Sequence, residues 1–207
     1  MAYSNFNNLK KVQNVLGLKL IKGELYDAAT IQRVKPSDWL KESIVRAQEM
    51  GYNSEKERSE RLISPVLSDL SKNNIKQLTI YSGHELNVDK HLGLNGECDF
   101  LLALGRKVIQ VVDSPIFSVV EAKRQDINWG TAQCAAQLVG AAKYNEMDKK
   151  NIPYLYGGIT DGVKWNFIKL EGQNLIVDER DVVFSDMALV LGIIQFFLDD
   201  CKKFGIV

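Results

Sequence analysis

One stretch constrains the fold more than any other. Ile116-Phe117-Ser118-Val119-Val120-Glu121-Ala122-Lys123-Arg124 starts as a strand fit for burial and ends in charge. β-Branched and aromatic residues suit a pleated strand between packed layers. Side chains alternate along a strand, which puts Glu121 and Lys123 on one face with Phe117 and Val119 behind them. A carboxylate and an ammonium are thus held side by side at the end of an apolar strand. That placement costs desolvation unless the charges find a partner such as a metal. This is the only Glu-x-Lys in the chain. Taken alone, the tripeptide reads first as a strand-end salt bridge.

The 207 residues, 45% hydrophobic and 25% charged, fit one soluble globular domain with a real core. A formal net charge of zero argues against a broad surface that coats nucleic acid, which usually makes a domain basic, and leaves room for a local basic cleft. Cys98, Cys134 and Cys201 are odd in number and lack metal-ligand spacing, so free thiols in a reducing cytosol, and a cytoplasmic location, are expected. The N-terminus has no charged-then-apolar signal layout. The longest apolar run, Met187 to Leu198, is broken by Gln195 and too short to span a bilayer, so no membrane partner is expected.

Apolar spacing predicts an amphipathic helix over Asn5 to Leu18, ended by Gly23. A second helix starts at Ser37 or Asp38, with Trp39 packed inward, and stops at Gly51. Ser54 with Glu57 three residues on forms a capping box for a third, whose stripe is Leu62, Ile63, Val66, Leu67 and Leu70, with a kink at Pro65. On that helix Glu60 lies nearer the edge of the stripe than Glu57, which should point more to water. Ile75 to Tyr81 reads as a first strand, with His84 and His91 in a loop after it. Glu97 to Leu104 reads as a second strand with Asp99 in its first half, where acids are depleted. A short strand around Val108 to Val112 and the strand through Glu121 follow. An Ala-rich helix runs from about Thr131 to Glu146, carrying Gln133 and Gln137 one turn apart. Thr160-Asp161-Gly162 between two apolar runs is a hairpin turn, and Leu175 to Val177 a further short strand. Ser185-Asp186 caps a last helix, Met187 to Lys203, apolar on most faces and so either buried or an oligomer contact. Together these give an α/β layer with a mixed sheet.

An isolated acid (Asp99), then Glu121-Ala122-Lys123, an acid-bearing helix before them and a Gln-bearing helix after them make an ordered constellation. In this the chain resembles the PD-(D/E)XK nuclease superfamily, with Glu60 the best match to its helix glutamate. Ser59-Glu60-Arg61-Leu62-Ile63-Ser64-Pro65-Val66-Leu67 is similar to the helix of bacterial members, including the nuclease domains of type I restriction subunits. Thr160-Asp161-Gly162-Val163-Lys164-Trp165-Asn166-Phe167 is similar to the hairpin that follows the Gln-bearing helix in uncharacterised bacterial proteins of this type. The resemblance covers about residues 54 to 170. Cys98 stands where the superfamily often has proline, and Lys143-Tyr144 follows Gln137 at a longer distance than the type I pattern has.

The resemblance implies a restriction-endonuclease-like core over about 54–180, a central mixed β-sheet flanked by helices. A helical N-terminal extension (about 1–50) and a C-terminal helix (about 185–203) would complete a single domain. It implies a Mg²⁺-dependent nuclease, with Mn²⁺ able to substitute, acting on DNA. Asp99 and Glu121 would be the metal carboxylates and the Ala122 carbonyl a further ligand, since Mg²⁺ takes one or two carboxylates plus waters and substrate oxygens. Glu60 would orient a water from the helix side and Lys123 would position the attacking oxygen. Gln137, Arg124 and Lys143 are candidate phosphate contacts. The competing expectations are a catalytically silent nuclease-fold module that binds nucleic acid or a partner protein, and a plain scaffold held by salt bridges. A homodimer built on the last helix would bring two sites to two DNA strands.

Overall fold

The computed structural model describes residues 2–105, 112–113, 115–123, 127–150 and 152–204. Seven strands form one mixed sheet: β1 (Lys19–Lys22), β2 (Leu78–Glu85), β3 (Glu97–Leu104), β4 (Ile116–Ala122), β5 (Tyr154–Thr160), β6 (Lys164–Glu171) and β7 (Asn174–Val183), in the order β1-β7-β6-β5-β4-β3-β2. β4 pairs with β5, and β1 with β7, in parallel; the other neighbours are antiparallel. A parallel pair needs a crossover, and helix α5 (Ile127–Met147) supplies it between β4 and β5.

Small residues set the spacing of that crossover. A Cβ on Gly157 would stand 2.7 Å from Cys134 Sγ on α5, so the helix rests almost on the strand backbone. Next to it, Tyr156 stacks at 3.9 Å on Phe197 of α6 (Met187–Lys202). Neighbouring strand residues face opposite ways, so α5 and α6 cover opposite faces of the sheet. This is why every residue of β4 is buried, including Glu121. In α6, Val190, Leu191, Ile193, Ile194, Phe197, Leu198 and Cys201 are buried inside the chain. Of the two uses its sequence allowed, α6 serves the core.

Helix boundaries follow their caps. Asn8 caps α1 (Leu9–Leu16), which ends on a left-handed Gly17; Ser37 caps α2 (Asp38–Met50), which ends at Gly51. Ser54 and Glu57 form the expected capping box at the start of α3 (Glu55–Arg58). A π-helical turn, Ser59–Ile63, joins α3 to α4 (Ser64–Asn73). The Ser64 N–H there reaches back five residues to the Ser59 carbonyl. Pro65 has no N–H and its ring would crowd a normal helical turn; the wider turn just before it absorbs the misfit. The predicted kink is therefore a change of helical pitch.

Several expectations need correction. Residues 19–22 lie in what reads as a helical extension, yet they form edge strand β1. β2 starts three residues late and carries His84, and β7 is ten residues long rather than a short strand. α5 begins at Ile127, a turn earlier than expected. Trp39 is 52% exposed; Leu40 is the residue of that turn that packs inward. The expected strand at Val108 to Val112 falls almost wholly outside the described residues. Among the described residues, no helix is long and apolar enough to cross a membrane.

Candidate functional site

The site begins where two strands part. β3 and β4 pair only as far as Phe100 with Val120, although β3 extends back to Glu97 and β4 on to Ala122. β3 stays with β2 down to Glu97, and β4 stays with β5 through Ala122. The Lys123 N–H still bonds the Thr160 carbonyl at 2.8 Å. Asp99 fills the gap, its Oδ2 accepting the Ala122 N–H at 2.7 Å. In a strand the N–H and C=O of one residue point the same way, so the Ala122 carbonyl faces the gap too. Gly83, the residue of β2 opposite Asp99, has a φ of 65° in a place where the ladder skips a pair. Only a residue without Cβ adopts that conformation freely, and it turns the edge strand beside the acid.

Glu121 lies on the α5 face. Its Oε2 accepts from Gln137 Nε2 at 2.7 Å, and its Oε1 is 2.8 Å from Lys123 Nζ. Gln137 is fully buried, and its own Oε1 has no hydrogen-bond partner. The glutamine sits among alanines because it serves a carboxylate beneath it. Lys123 is pinned by the start of α5: a Cβ on Gly130 would meet Lys123 Cγ at 2.8 Å.

Helix α3 and the π turn after it bring further acids. A cavity of about 530 Å³ is lined by Glu55, Lys56, Ser59, Glu60, Ser82, Gly83, Glu97, Asp99 and Ala122. Glu60 reaches this cavity from its rim, 61% exposed and 3.9 Å from Lys56. Glu57 does not; its carboxylate holds the Asn53 and Ser54 N–H groups and Arg61. Glu55 is the acid that the sequence reading passed over. Its Oε1 stands 3.6 Å from Lys123 Nζ. The hairpin tip between β5 and β6 steadies this helix. Arg58 donates to the Asp161 carbonyl at 2.8 Å, and left-handed Gly162 sits where a Cβ would strike Leu62. Lys143 belongs elsewhere, paired with Asp89 at 3.1 Å on the far part of α5. Arg124 lies outside the described residues.

Burial, and then the neighbouring Asp99, push the Glu121 carboxyl up to about 7 against the pull of Lys123. Burial also raises Asp99; the Ala122 N–H and Lys123 pull it back, while Glu55 and Glu97 add to the rise. Burial alone would lower the Lys123 pKa, but Glu121, Glu55 and Asp99 outweigh it and hold the ammonium above its usual range. Two desolvated carboxylates, one raised by the other, are a donor set that a hard divalent cation would relieve. Among the described residues no three His, Cys, Asp or Glu side chains converge as a metal-binding group. Asp99, Glu121 and the Ala122 carbonyl fit an ion that keeps several waters, as Mg²⁺ does. The three cysteines are buried free thiols, and burial raises Cys98 and Cys134, which disfavours their thiolates.

Compared with models of known protein families and with curated proteins, the sequence matches none.

Proposed function

We propose that this chain is a divalent-metal-dependent nuclease that hydrolyses DNA phosphodiester bonds, on a restriction-endonuclease-like core. The observation that carries the reading is the fork between β3 and β4. In it the Ala122 N–H binds Asp99, and next along β4 the buried Glu121 pairs with Lys123 and is held by Gln137 from behind.

Asp99, Glu121 and the Ala122 carbonyl would hold the cation. When bound, a divalent cation lowers the pKa of an attacking water and polarises the phosphoryl group. Lys123, held by Glu121 and Glu55, directs its ammonium at the oxygen that attacks phosphorus and at the charge that grows on the phosphoryl oxygens. Glu55 and Glu60 face the cavity as acceptors for the proton that the water gives up. One phosphorus–oxygen ester bond breaks as the new one forms, and the leaving oxygen takes a proton from solvent. Gln137 fixes the Glu121 carboxylate and touches no substrate.

The scaffold reading has its own support, because both Glu121 oxygens already have partners within the chain. One experiment separates the two. Wild type, Lys123→Ala and Asp99→Ala are incubated with supercoiled plasmid and linear single strands in Mg²⁺, Mn²⁺ or EDTA. Cutting that needs metal and is lost in both variants is the expected result. Neither cutting nor Mn²⁺ binding by the wild type would overturn the nuclease reading.

A further inference from the structure

Segment 26–34 and α6 enclose a cavity of about 380 Å³ that shares no lining residue with the one at the fork. Its size falls at the lower end of the range for small-molecule pockets, about 300–1,000 Å³. Gly192 lets the segment lie on the helix, since a Cβ there would stand 2.6 Å from the Gln32 carbonyl oxygen. Tyr26, Ile31, Val34 and Phe196 make the apolar walls. Arg180 over one face and Phe167 at the edge hold the Tyr26 ring in place. Phe196 is 36% exposed, although Phe197 beside it is buried. Two carboxylates enter this apolar space from two elements, Asp27 from the segment and Asp199 from α6, and the described lining has no Lys, Arg or His. Asp27 spends one oxygen on the Ala29 N–H of its own turn. Asp199 accepts from Gln195 at 3.1 Å and from Lys202 at 2.9 Å. An exposed ion pair within one helix turn adds little, so an incoming ammonium displaces Lys202 at small cost. Acids on both sides turn away an anion, and the apolar walls offer a hydrated metal ion few ligands. An organic cation with an apolar body suits both features, with its charge on the carboxylates and its carbon chain against the walls.

We propose that this cavity binds a linear aliphatic diamine or polyamine, with one ammonium on Asp27, another on Asp199 and the carbon chain between them against Ile31 and Phe196. A monoamine satisfies one acid and leaves the other as it was, so two charges on one flexible chain fit the pocket better than one. The site is independent of the nuclease reading and stands or falls without it. A ligand held by both acids ties segment 26–34 to α6, and a ligand that binds only the folded chain stabilises it.

The test is a calorimetric titration of the full chain with putrescine, spermidine, butylamine and butanediol, at physiological salt so that unspecific attraction is screened. Putrescine and spermidine should bind, and putrescine at least about tenfold tighter than butylamine, the equivalent of one charge-assisted hydrogen bond. Butanediol should not bind. Asp27→Asn and Asp199→Asn keep the side-chain size and the local hydrogen bonds, and each should weaken putrescine by about tenfold to a hundredfold. Glu179→Gln, which removes an exposed acid of β7 that pairs with Lys22, should leave binding unchanged. A melting scan of each variant without ligand checks its fold, and putrescine should raise the melting temperature of the wild type but not of the double Asp27→Asn, Asp199→Asn variant. No binding of either polyvalent amine overturns the proposal. So does butylamine bound as tightly as putrescine, a loss confined to one of the two Asp variants, or an equal loss in Glu179→Gln.

Discussion

Three glutamates, two on α3 and one on the π turn after it, separate by what each carboxylate touches. Glu55 is 3.6 Å from Lys123 Nζ, Glu60 faces the cavity from its exposed rim, and Glu57 is consumed in the capping box. Glu55→Gln should therefore lower the rate of plasmid cutting more than Glu60→Gln does. Glu57→Ala should instead lower the stability through the lost capping box, read as a shift of the urea midpoint, and leave the cutting rate of the folded protein near wild type. A larger rate loss in Glu57→Ala than in Glu55→Gln would contradict this assignment. Gln137 offers a second check. Gln137→Leu leaves a buried carboxylate oxygen without its donor and should destabilise the protein by about 1–3 kcal/mol; an unchanged midpoint would mean that the 2.7 Å bond to Glu121 carries no weight. The roles of Glu57 and of the Glu121–Lys123 pair were legible in the sequence, because capping and strand alternation are local rules. Glu55 was not. Directly after a cap it reads as an acid that complements the helix dipole, and the π turn at Ser59–Ile63 breaks the angular count from stripe to acid.

At the scale of elements, close approach decides which helices sit where. α5 lies against the N-terminal turn at Tyr3–Asn5 because Gly140 leaves room for the Tyr3 ring; a Cβ there would stand 2.1 Å from the Tyr3 hydroxyl. Gly140→Ala forces either the helix or the tyrosine to move, at about 1–3 kcal/mol for overpacking, less up to about 1 kcal/mol gained in helix propensity. For a chain of this size that is a melting temperature lower by up to roughly 12 °C. The Tyr3 hydroxyl is buried without a partner, so Tyr3→Phe in the same chain should recover most of the loss. Additive effects in the double variant would show that the two residues do not meet in this way. The hairpin β5–β6 and strands β3 and β4 could be read directly, since Asp-Gly turns and apolar runs are short-range signals. β1 could not be. Lys19-Leu20-Ile21-Lys22 is four residues with mostly exposed side chains, and it becomes a strand only because β7 offers an edge 155 positions along the chain. Trp39 misled for the opposite reason: a large apolar side chain in a first turn invites burial, but the core contact at α2 is made by Leu40.

For the molecule as a whole, the N-terminal segment is tied to the sheet by a buried ion pair that no local pattern announces. Asp178 on β7 accepts from the Leu25 N–H at 3.1 Å and from Arg180 Nε at 2.8 Å, while Arg180 also donates to the Tyr26 carbonyl and covers the Tyr26 ring at 4.5 Å. Burial alone would raise the Asp178 carboxyl, but these donors outweigh it and hold it below the usual carboxylate range. A folded pKa below the unfolded one means that the unfolded chain binds the proton more readily. The contribution is then complete above the unfolded value, near about 4, and is lost as pH falls through the folded value. Glu121 acts with the opposite sign, its folded pKa raised to about 7, so its effect falls in a higher window and does not mask this one. Arg180 is a third exposed, so the pair is discounted from the buried-pair range to about 1–2 kcal/mol. Asp178→Asn should be less stable than wild type by that amount near neutral pH. Below about pH 4 the difference should shrink, because the protonated wild type loses the charge that the variant never had. Urea unfolding of both proteins across that range decides it. A gap that stays constant down to about pH 2.5 would mean that Asp178 is not the carboxylate that couples the N-terminal segment to the sheet.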